Sequence, residues 1–551
     1  MTSEQFGLIA AEAIAALCAE QPENATVIGN HEHDDQLGYP TLSAAHRRRT
    51  ELTKLIERLD GIDKAALDVA GQVDAEILRT ESQAELLLID ELDAPSWNAM
   101  QHNPGQAIYS LLSRDFAPLP DRLTALAGRL RSVPDYLAAA RDRLTHCPAI
   151  YVQTAIAQLS GTLALIESEV PAAAEQAAGG PDLSALIGPA ATAVREHQDW
   201  LRAQLPSADR SARLGEDLFA RKLALTLATP WQPKALLDQA YQDLASIEQA
   251  LTELVASQHP GLSVGRAEIA AEFDRLAEDA PTSASILGNC RDAFAETTAF
   301  VERHELLSLH HDPVDIVEMP EIDRGVAVAY CEGVGALETA PLHTRFAVSP
   351  TPADWTAAQE RSFYREYNNH MLHNLTVHEA MPGHVEQLSH ARRYQGDTQV
   401  RAVFGSGSFI EGWAVYAERL MTELGYRSEV SAGAAAAVRM QQLKMQLRMV
   451  INTILDVSFH AGDLDEAGAM DLMTGRGYQE AGEATGKWRR VQLSSTQLST
   501  YYVGYLEVSE LVADLRRAHP DWSHRRLHDS ILSFGSPPVR HLRSLLGLPT
   551  G

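Results

Sequence analysis

Apolar positions along most of this chain recur three and four residues apart, the spacing of helices that bury one face and expose the other. The stretches from Leu52 to Leu88 and from Leu236 to Ala256 keep that spacing over several turns. Runs that read as short strands are few: Asp315–Met319, Gly325–Tyr330 and Thr344–Ser349. The pattern predicts a mainly α protein with one small β-sheet. No repeat of fixed period and no long low-complexity linker divides the chain, while the patch from Ala172 to Pro181 and the prolines Pro206 and Pro230 mark helix junctions. Residues 1–313 are expected to form a helical lobe, and 314–551 a second lobe that holds the strands and the chemistry; one continuous fold is the alternative.

Composition strengthens the helical reading, because alanine and leucine recur throughout and aromatic residues make up only 6% of the chain. At 551 residues the chain can bury a large core. Its 46 basic residues stand against 74 acidic ones, which disfavours nucleic acid and anionic membranes as partners, since both need clustered Lys and Arg. Cys18, Cys147, Cys290 and Cys331 are scattered singly and read as small buried residues of a reducing compartment. The first residues lack a basic n-region, the apolar run after them is broken by Glu12, and no stretch approaches the roughly 18 uninterrupted apolar residues of a spanning helix. These features predict a cytoplasmic protein.

The segment His378-Glu379-Ala380-Met381-Pro382-Gly383-His384 carries the chemistry. It resembles the H-E-x-x-H zinc signature with two extra residues before the second histidine. Four apart on a helix, two rings diverge by about 40° and can share a metal; six apart, they diverge by about 120° and cannot. The helix must therefore bulge or break, and Pro382 gives a cause, since it lacks the amide hydrogen that the His378 carbonyl would accept. Gly383 adds backbone freedom. A catalytic zinc ion needs a third protein ligand, and a glutamate on a later helix would supply it. Glu411 and Glu418, two turns apart and nearly on one face, both qualify. One would bind a single Zn2+, with Glu411 favoured, and the other would accept the free ring N–H of a ligating histidine. Glu379 is then the general base toward a water that the metal activates.

These segments, H-E-A-M-P-G-H and E-G-W-A-V-Y-A-E, resemble the bacterial family known as domain of unknown function 885, regarded as similar to zinc metallopeptidases of the glutamate-zincin type. The likeness extends to Gly29-Asn30-His31-Glu32-His33-Asp34 near the start and to Leu527-His528-Asp529-Ser530 and Gly535-Ser536-Pro537-Pro538 near the end. Asp456-Val457-Ser458-Phe459-His460 resembles an Asp-x-x-x-His element, and Ser495 to Gly504 resembles Pro-Gly-Gln-x-x-Ser-Tyr-x-x-Gly. There Ser495-Thr496 replaces the Pro-Gly pair and Thr500 the serine, which leaves the local backbone shape and the choice between Tyr501 and Tyr502 open.

When water adds to an amide, the carbonyl oxygen becomes an anion that a phenol or imidazole donor can stabilise by roughly 3 kcal/mol. His460 and Tyr501 are the candidates, with Asp456 one turn before His460 and placed to fix its tautomer. Arg540 could meet a substrate carboxylate. The cluster His31-Glu32-His33-Asp34-Asp35 reads as a solvated turn, and His304, His310 and His311 as decoration of a loop. By analogy with other helical zinc peptidases, a deep cleft between two lobes is expected, and a peptide backbone is expected to pair with the strand group. The expected activity is hydrolysis of short peptides; a zinc hydrolase of another amide, or a metal- or peptide-binding protein without turnover, are the alternatives. Oligomeric state is not legible.

Overall fold

In the computed structural model, which describes residues 3–320, 324 and 328–549, the chain is 68% helical with one three-stranded sheet, so helix packing must supply nearly all of the core. Backbone contacts divide it into two compact units. Unit 1 comprises Met1–Ala212, Val334–Leu342 and Gly396–Phe404, and unit 2 comprises Arg213–Gly333, His343–Gln395 and Gly405–Gly551. The boundary expected at 313 falls inside unit 2.

Unit 1 is built on α1 (Leu119–Arg143), α2 (Ala149–Ala164) and α3 (Ser184–Gln204). Leu123, Leu126, Leu130, Val133 and Leu137 form a fully buried stripe along α1 at alternating three- and four-residue steps. It packs on Val152, Ala155 and Leu159 of α2 and on Val194 and Leu201 of α3. The helical stretch Ala149–Gln176 is long and apolar enough to cross a membrane by length and composition, although polar residues such as Gln153 and Gln158 interrupt its apolar run. Its Leu165, Ile166 and Val170 are nevertheless fully buried in this same core, as core helices also require. The apolar stretch from Leu52 to Leu88 becomes two helices, Leu42–Asp60 and Val69–Leu87. Asp68 starts the second by accepting the Gly71 N–H.

The histidine-rich turn in unit 1 is packed at His31 and Asp34, while Glu32 and Asp35 stay exposed. His31 stacks on Phe116 at 3.9 Å, and its ring nitrogens meet Asp34 at 2.9 Å and Glu338 at 3.1 Å. Both nitrogens are thereby spent on carboxylates that hold the turn against the Val334–Leu342 segment. Gly29, at φ 90°, lets that segment approach, because a Cβ there would lie 2.3 Å from the Glu338 nitrogen.

In unit 2 the sheet has the order β1-β3-β2, with β1 (Val314–Glu318) parallel to β3 (Thr344–Val348) and β2 (Ala329–Glu332) antiparallel to it. Of the strand expected over Gly325–Tyr330, residues 325–327 lie outside the described residues. Phe346 and Val348 bury the sheet against Cys290 of α4 (Ile286–Arg303) and Leu372 of α5 (Asn369–Glu379). A second core joins α7 (Gly407–Glu423) to α10 (Thr500–Ala518) through Phe409, Trp413 and Met421 against Val508, Leu511 and Leu515. Between these elements run α6 (His384–Arg392), α8 (Ala432–His460) and α9 (Ala481–Leu493).

Candidate metal centre

Helix α5 starts at Asn368, whose side chain accepts the His370 and Met371 N–H groups, and it stops after Glu379. The break predicted from Pro382 is complete: α6 begins afresh at His384. Gly383 folds back so that its N–H donates to the Val377 carbonyl at 3.0 Å. A Cβ on Gly383 would sit 1.9 Å from the His378 carbonyl oxygen, so this turn admits only glycine. Trp413 of α7 fixes it by donating its indole N–H to the Pro382 carbonyl at 2.8 Å. The outcome is that two rings six residues apart stand with centroids 4.7 Å apart and nearly perpendicular.

Helix α7 brings the carboxylates. Its N-terminus is capped by Ser406, and Glu411 follows in its second turn. Glu411 Oε2 lies 3.2 Å from His378 Nε2 and 3.5 Å from His384 Nε2. Two turns later, Glu418 accepts the His378 Nδ1 proton at 2.7 Å and the Asn374 amide at 2.6 Å. One ligating atom from each of His378, His384 and Glu411 lies within 4.8 Å of the others, so the group could hold a metal ion.

Charge gives an independent test of that fit. With Nδ1–H committed to Glu418, the His378 ring turns Nε2 toward the Glu411 carboxylate, an arrangement satisfied by a proton on that nitrogen or by a cation between the two. Burial opposes charge on His378, yet Glu411 and Glu418 hold its pKa well above the ordinary histidine value. Burial would likewise raise Glu411, but the two imidazoles hold it well below the usual carboxylate range. The pocket thus draws positive charge to the point where the three donors meet. Two imidazoles and a carboxylate form a donor set that suits zinc and leaves a coordination position open. Replacing Glu418 by Gln should weaken metal affinity about tenfold to a hundredfold while leaving the three ligands in place, as chelator competition would measure.

Glu379 stands beside this group. Burial raises its pKa, the two histidines partly offset that, and the backbone N–H of Cys331 on β2 hydrogen-bonds its carboxylate. The sheet therefore reaches the site through this bond, a contact that sequence spacing did not announce. Of the two adjacent phenols, Tyr501 lies in the field of Glu411 and His378: burial and then Glu411 raise its pKa, while Arg490, which hydrogen-bonds it, and His378 act the other way. Tyr502 points elsewhere and donates to Asp243 at 2.5 Å. Nothing in the spacing flagged Arg490.

Tyr501 reaches the site because α7 and α10 cross almost backbone to backbone. A Cβ on Gly504 would lie 1.8 Å from the Ser408 carbonyl oxygen, and one on Gly412 would lie 2.3 Å from the Gly504 carbonyl carbon. Glu411 is next to Gly412 and Tyr501 is one turn before Gly504, so the glycine contact sets their separation.

His460 is differently employed. Its Nε2 donates to the carbonyl oxygens of Ser494 at 2.7 Å and Val491 at 3.1 Å, and burial pushes its pKa down to about 4. A ring nitrogen spent on backbone carbonyls is not poised to donate to a substrate. Asp456 does not fix that ring either: 3.8 Å from Nε2 is too long for a hydrogen bond. It accepts instead the N–H groups of Thr496 and Ser499 and the Ser499 hydroxyl, which ties down the turn that launches α10.

That turn explains the departure from Pro-Gly. Thr496 has φ 66°, the left-handed region where a β-branched residue is strained by about 1–3 kcal/mol, and the Asp456 hydrogen bond holds it there. Thr496→Gly should raise stability by about 1 kcal/mol, read as a higher denaturant midpoint in an unfolding curve. Arg540, at the start of the helix Val539–Leu545, donates to His541 at 3.3 Å and faces the charge of Glu507.

Fold and site together define a helical protein with a candidate metal centre of two histidines and a glutamate. The chain belongs to the family described as bacterial protein of unknown function (DUF885), whose model matches residues 22–546. No curated protein matches it. Among solved structures, a "putative lipoprotein of unknown function" from Shewanella oneidensis shares the fold at TM-score 0.83 and 26% identity, over 98% of this chain and 99% of that one. A "putative lipoprotein" from Colwellia psychrerythraea aligns at TM-score 0.81 and 15% identity, over 99% and 98% of the two chains. An M32 carboxypeptidase from Deinococcus radiodurans R1 reaches only TM-score 0.34 at 12% identity over 92% and 96%, too low to support any argument. The lipoprotein descriptions contradict the cytoplasmic location expected from the N-terminal sequence. The four cysteines are free, three of them buried and Cys331 partly so.

Proposed function

We propose that this protein is a zinc-dependent metallopeptidase of short peptides, with His378, His384 and Glu411 as the ligands of one Zn2+. The observation that carries the reading is the convergence of those three donors around a charge-hungry point, with Glu379 and Tyr501 at its margin. Bound there, zinc would polarise a carbonyl and lower the pKa of water toward about 7. Glu379, its carboxylate kept protonatable by burial, takes the proton of the attacking water and delivers it to the departing amine. Glu418 keeps His378 in the tautomer that presents Nε2. Tyr501 donates its hydroxyl proton in a hydrogen bond to the oxygen that gains negative charge, and Arg490 orients it. His378 and His384 are only 9% and 8% exposed, which favours short flexible substrates over folded ones. Arg540 is the candidate anchor for a substrate carboxylate. Following the two lipoprotein relatives, we place the protein in a membrane-anchored or secreted setting.

The test is metal content and hydrolysis of a mixed peptide panel by the whole protein, before and after chelation and zinc return. Cleavage that is lost and restored supports the reading. Zinc-loaded protein that cleaves only non-peptide amides, or nothing, rejects it. A paired comparison sharpens the tyrosine roles: Tyr501→Phe should slow turnover about 10²-fold with stability unchanged. Tyr502→Phe should cost about 1–3 kcal/mol of stability, because Asp243 Oδ2 loses the phenol donor and keeps only the Gln239 amide on its other oxygen, and spare turnover.

A further inference from the structure

A second set of donors lies on the opposite side of α6 from His384. Glu386 and His390 are one turn apart on that helix, and His310 reaches them from the segment that follows α4; one ligating atom from each lies within 4.8 Å of the others. Glu386 and His390 are buried and His310 is partly so. The rings of His310 and His390 have centroids 4.3 Å apart at 57°. His390 Nε2 lies 3.5 Å from Glu386 Oε1 and 2.8 Å from the Ser308 carbonyl oxygen.

Neighbouring hydrogen bonds hold the three donors in place, and a metal would compete with one of them, the contact of His390 Nε2 with the Ser308 carbonyl. Glu386 Oε1 accepts the backbone N–H of His310 at 3.2 Å, which sets the segment's height along the helix. Asp529 accepts the Ser308 N–H at 2.8 Å and the Ser308 hydroxyl at 2.6 Å, fixing one end of the segment. At the other end, Asp312 accepts from Ser389 at 2.6 Å and from Arg393 at 2.7 Å. His310 is partly exposed, and among the described residues neither of its ring nitrogens is hydrogen-bonded.

We propose that His310, Glu386 and His390 form a second divalent-metal site, separate from the first. Two imidazoles and one carboxylate favour zinc over magnesium or calcium, which take oxygen ligands. An ion at His390 Nε2 takes the place of the proton now directed at the Ser308 carbonyl, whose oxygen can serve as a further donor. Its role is structural: it clamps the chain at 308–310 to α6, the helix that opens with His384. The proposal is independent of catalysis and stands or falls on metal binding alone.

The experiment is zinc stoichiometry of the whole protein by equilibrium dialysis at buffered micromolar zinc in excess magnesium, with anomalous diffraction at the zinc edge. Two equivalents are expected, with one anomalous peak in each His, His, Glu group. The double variant H378A/E411A should keep one equivalent, and H310A should lose one while the first site stays filled. A single equivalent in the wild type, with anomalous density only between His378, His384 and Glu411, overturns the proposal, as does H310A retaining two. Because the wild-type diffraction peak decides by itself, misfolding of a variant does not rescue the idea.

Discussion

Glu379→Gln should lower peptide hydrolysis by about 10³-fold while leaving zinc content at the wild-type level. Glutamine has the same shape and still accepts the Cys331 N–H, so local packing survives. What disappears is the ability to take a proton from water and hand it on, which general-base deletions value at roughly 10²–10⁴ in rate. Zinc should stay because the three donors are His378, His384 and Glu411, and Glu379 is not among them. The loss should fall on kcat more than on KM, since proton transfer belongs to the transition state. Metal analysis beside steady-state kinetics of the same preparation checks this. Activity within tenfold of wild type would remove Glu379 from the mechanism, and zinc lost together with activity would make it a structural element of the centre.

Gly504→Ala is expected to have the largest effect on the fold. The added methyl would lie 1.8 Å from the Ser408 carbonyl oxygen and 2.9 Å from the Gly412 Cα, both backbone atoms that no rotamer change can move. Helices α7 and α10 must separate or tilt, and overpacking of this kind costs about 1–3 kcal/mol, more where backbone must shift. Glu411 and Tyr501 move with their helices, so metal affinity should fall by more than tenfold along with stability. A matched control is Gly486→Ala in α9, a helical glycine with nothing within 4 Å of a Cβ, where stability should rise by about 0.5–1 kcal/mol. Denaturant unfolding and chelator competition on both variants decide the matter. Equal behaviour of the two would show that the glycine contact does not set the site.

Much of the candidate site was legible because its logic is local. The His378 to His384 spacing cannot work on a straight helix, Pro382 has no N–H, and a break follows from those facts alone. Glu411 and Glu418 fall on one face because seven residues make two turns. The limit of this reasoning shows at His460 and Asp456. Their i, i+4 spacing suggested a coupled pair, yet each found stronger partners at the end of α9 and in the turn after it, 31–43 residues away in sequence. Spacing says which side chains can meet, and competition among distant partners says which do. Location was misread for a different reason: the missing basic n-region and the scattered cysteines do not encode an address, and the lipoprotein relatives point elsewhere.

The chain by itself determined the helical class, the small sheet, the broken helix at Pro382 and the identity of three clustered metal-binding candidates, since each follows from periodicity or from the reach of neighbouring residues. Only the tertiary structure decided that Tyr501 and not Tyr502 faces those residues, that Thr496 takes a glycine-like conformation, and that His310 joins Glu386 and His390. Those outcomes depend on how closely α7 and α10 approach and on which buried group satisfies which hydrogen bond, quantities set by packing across the whole unit.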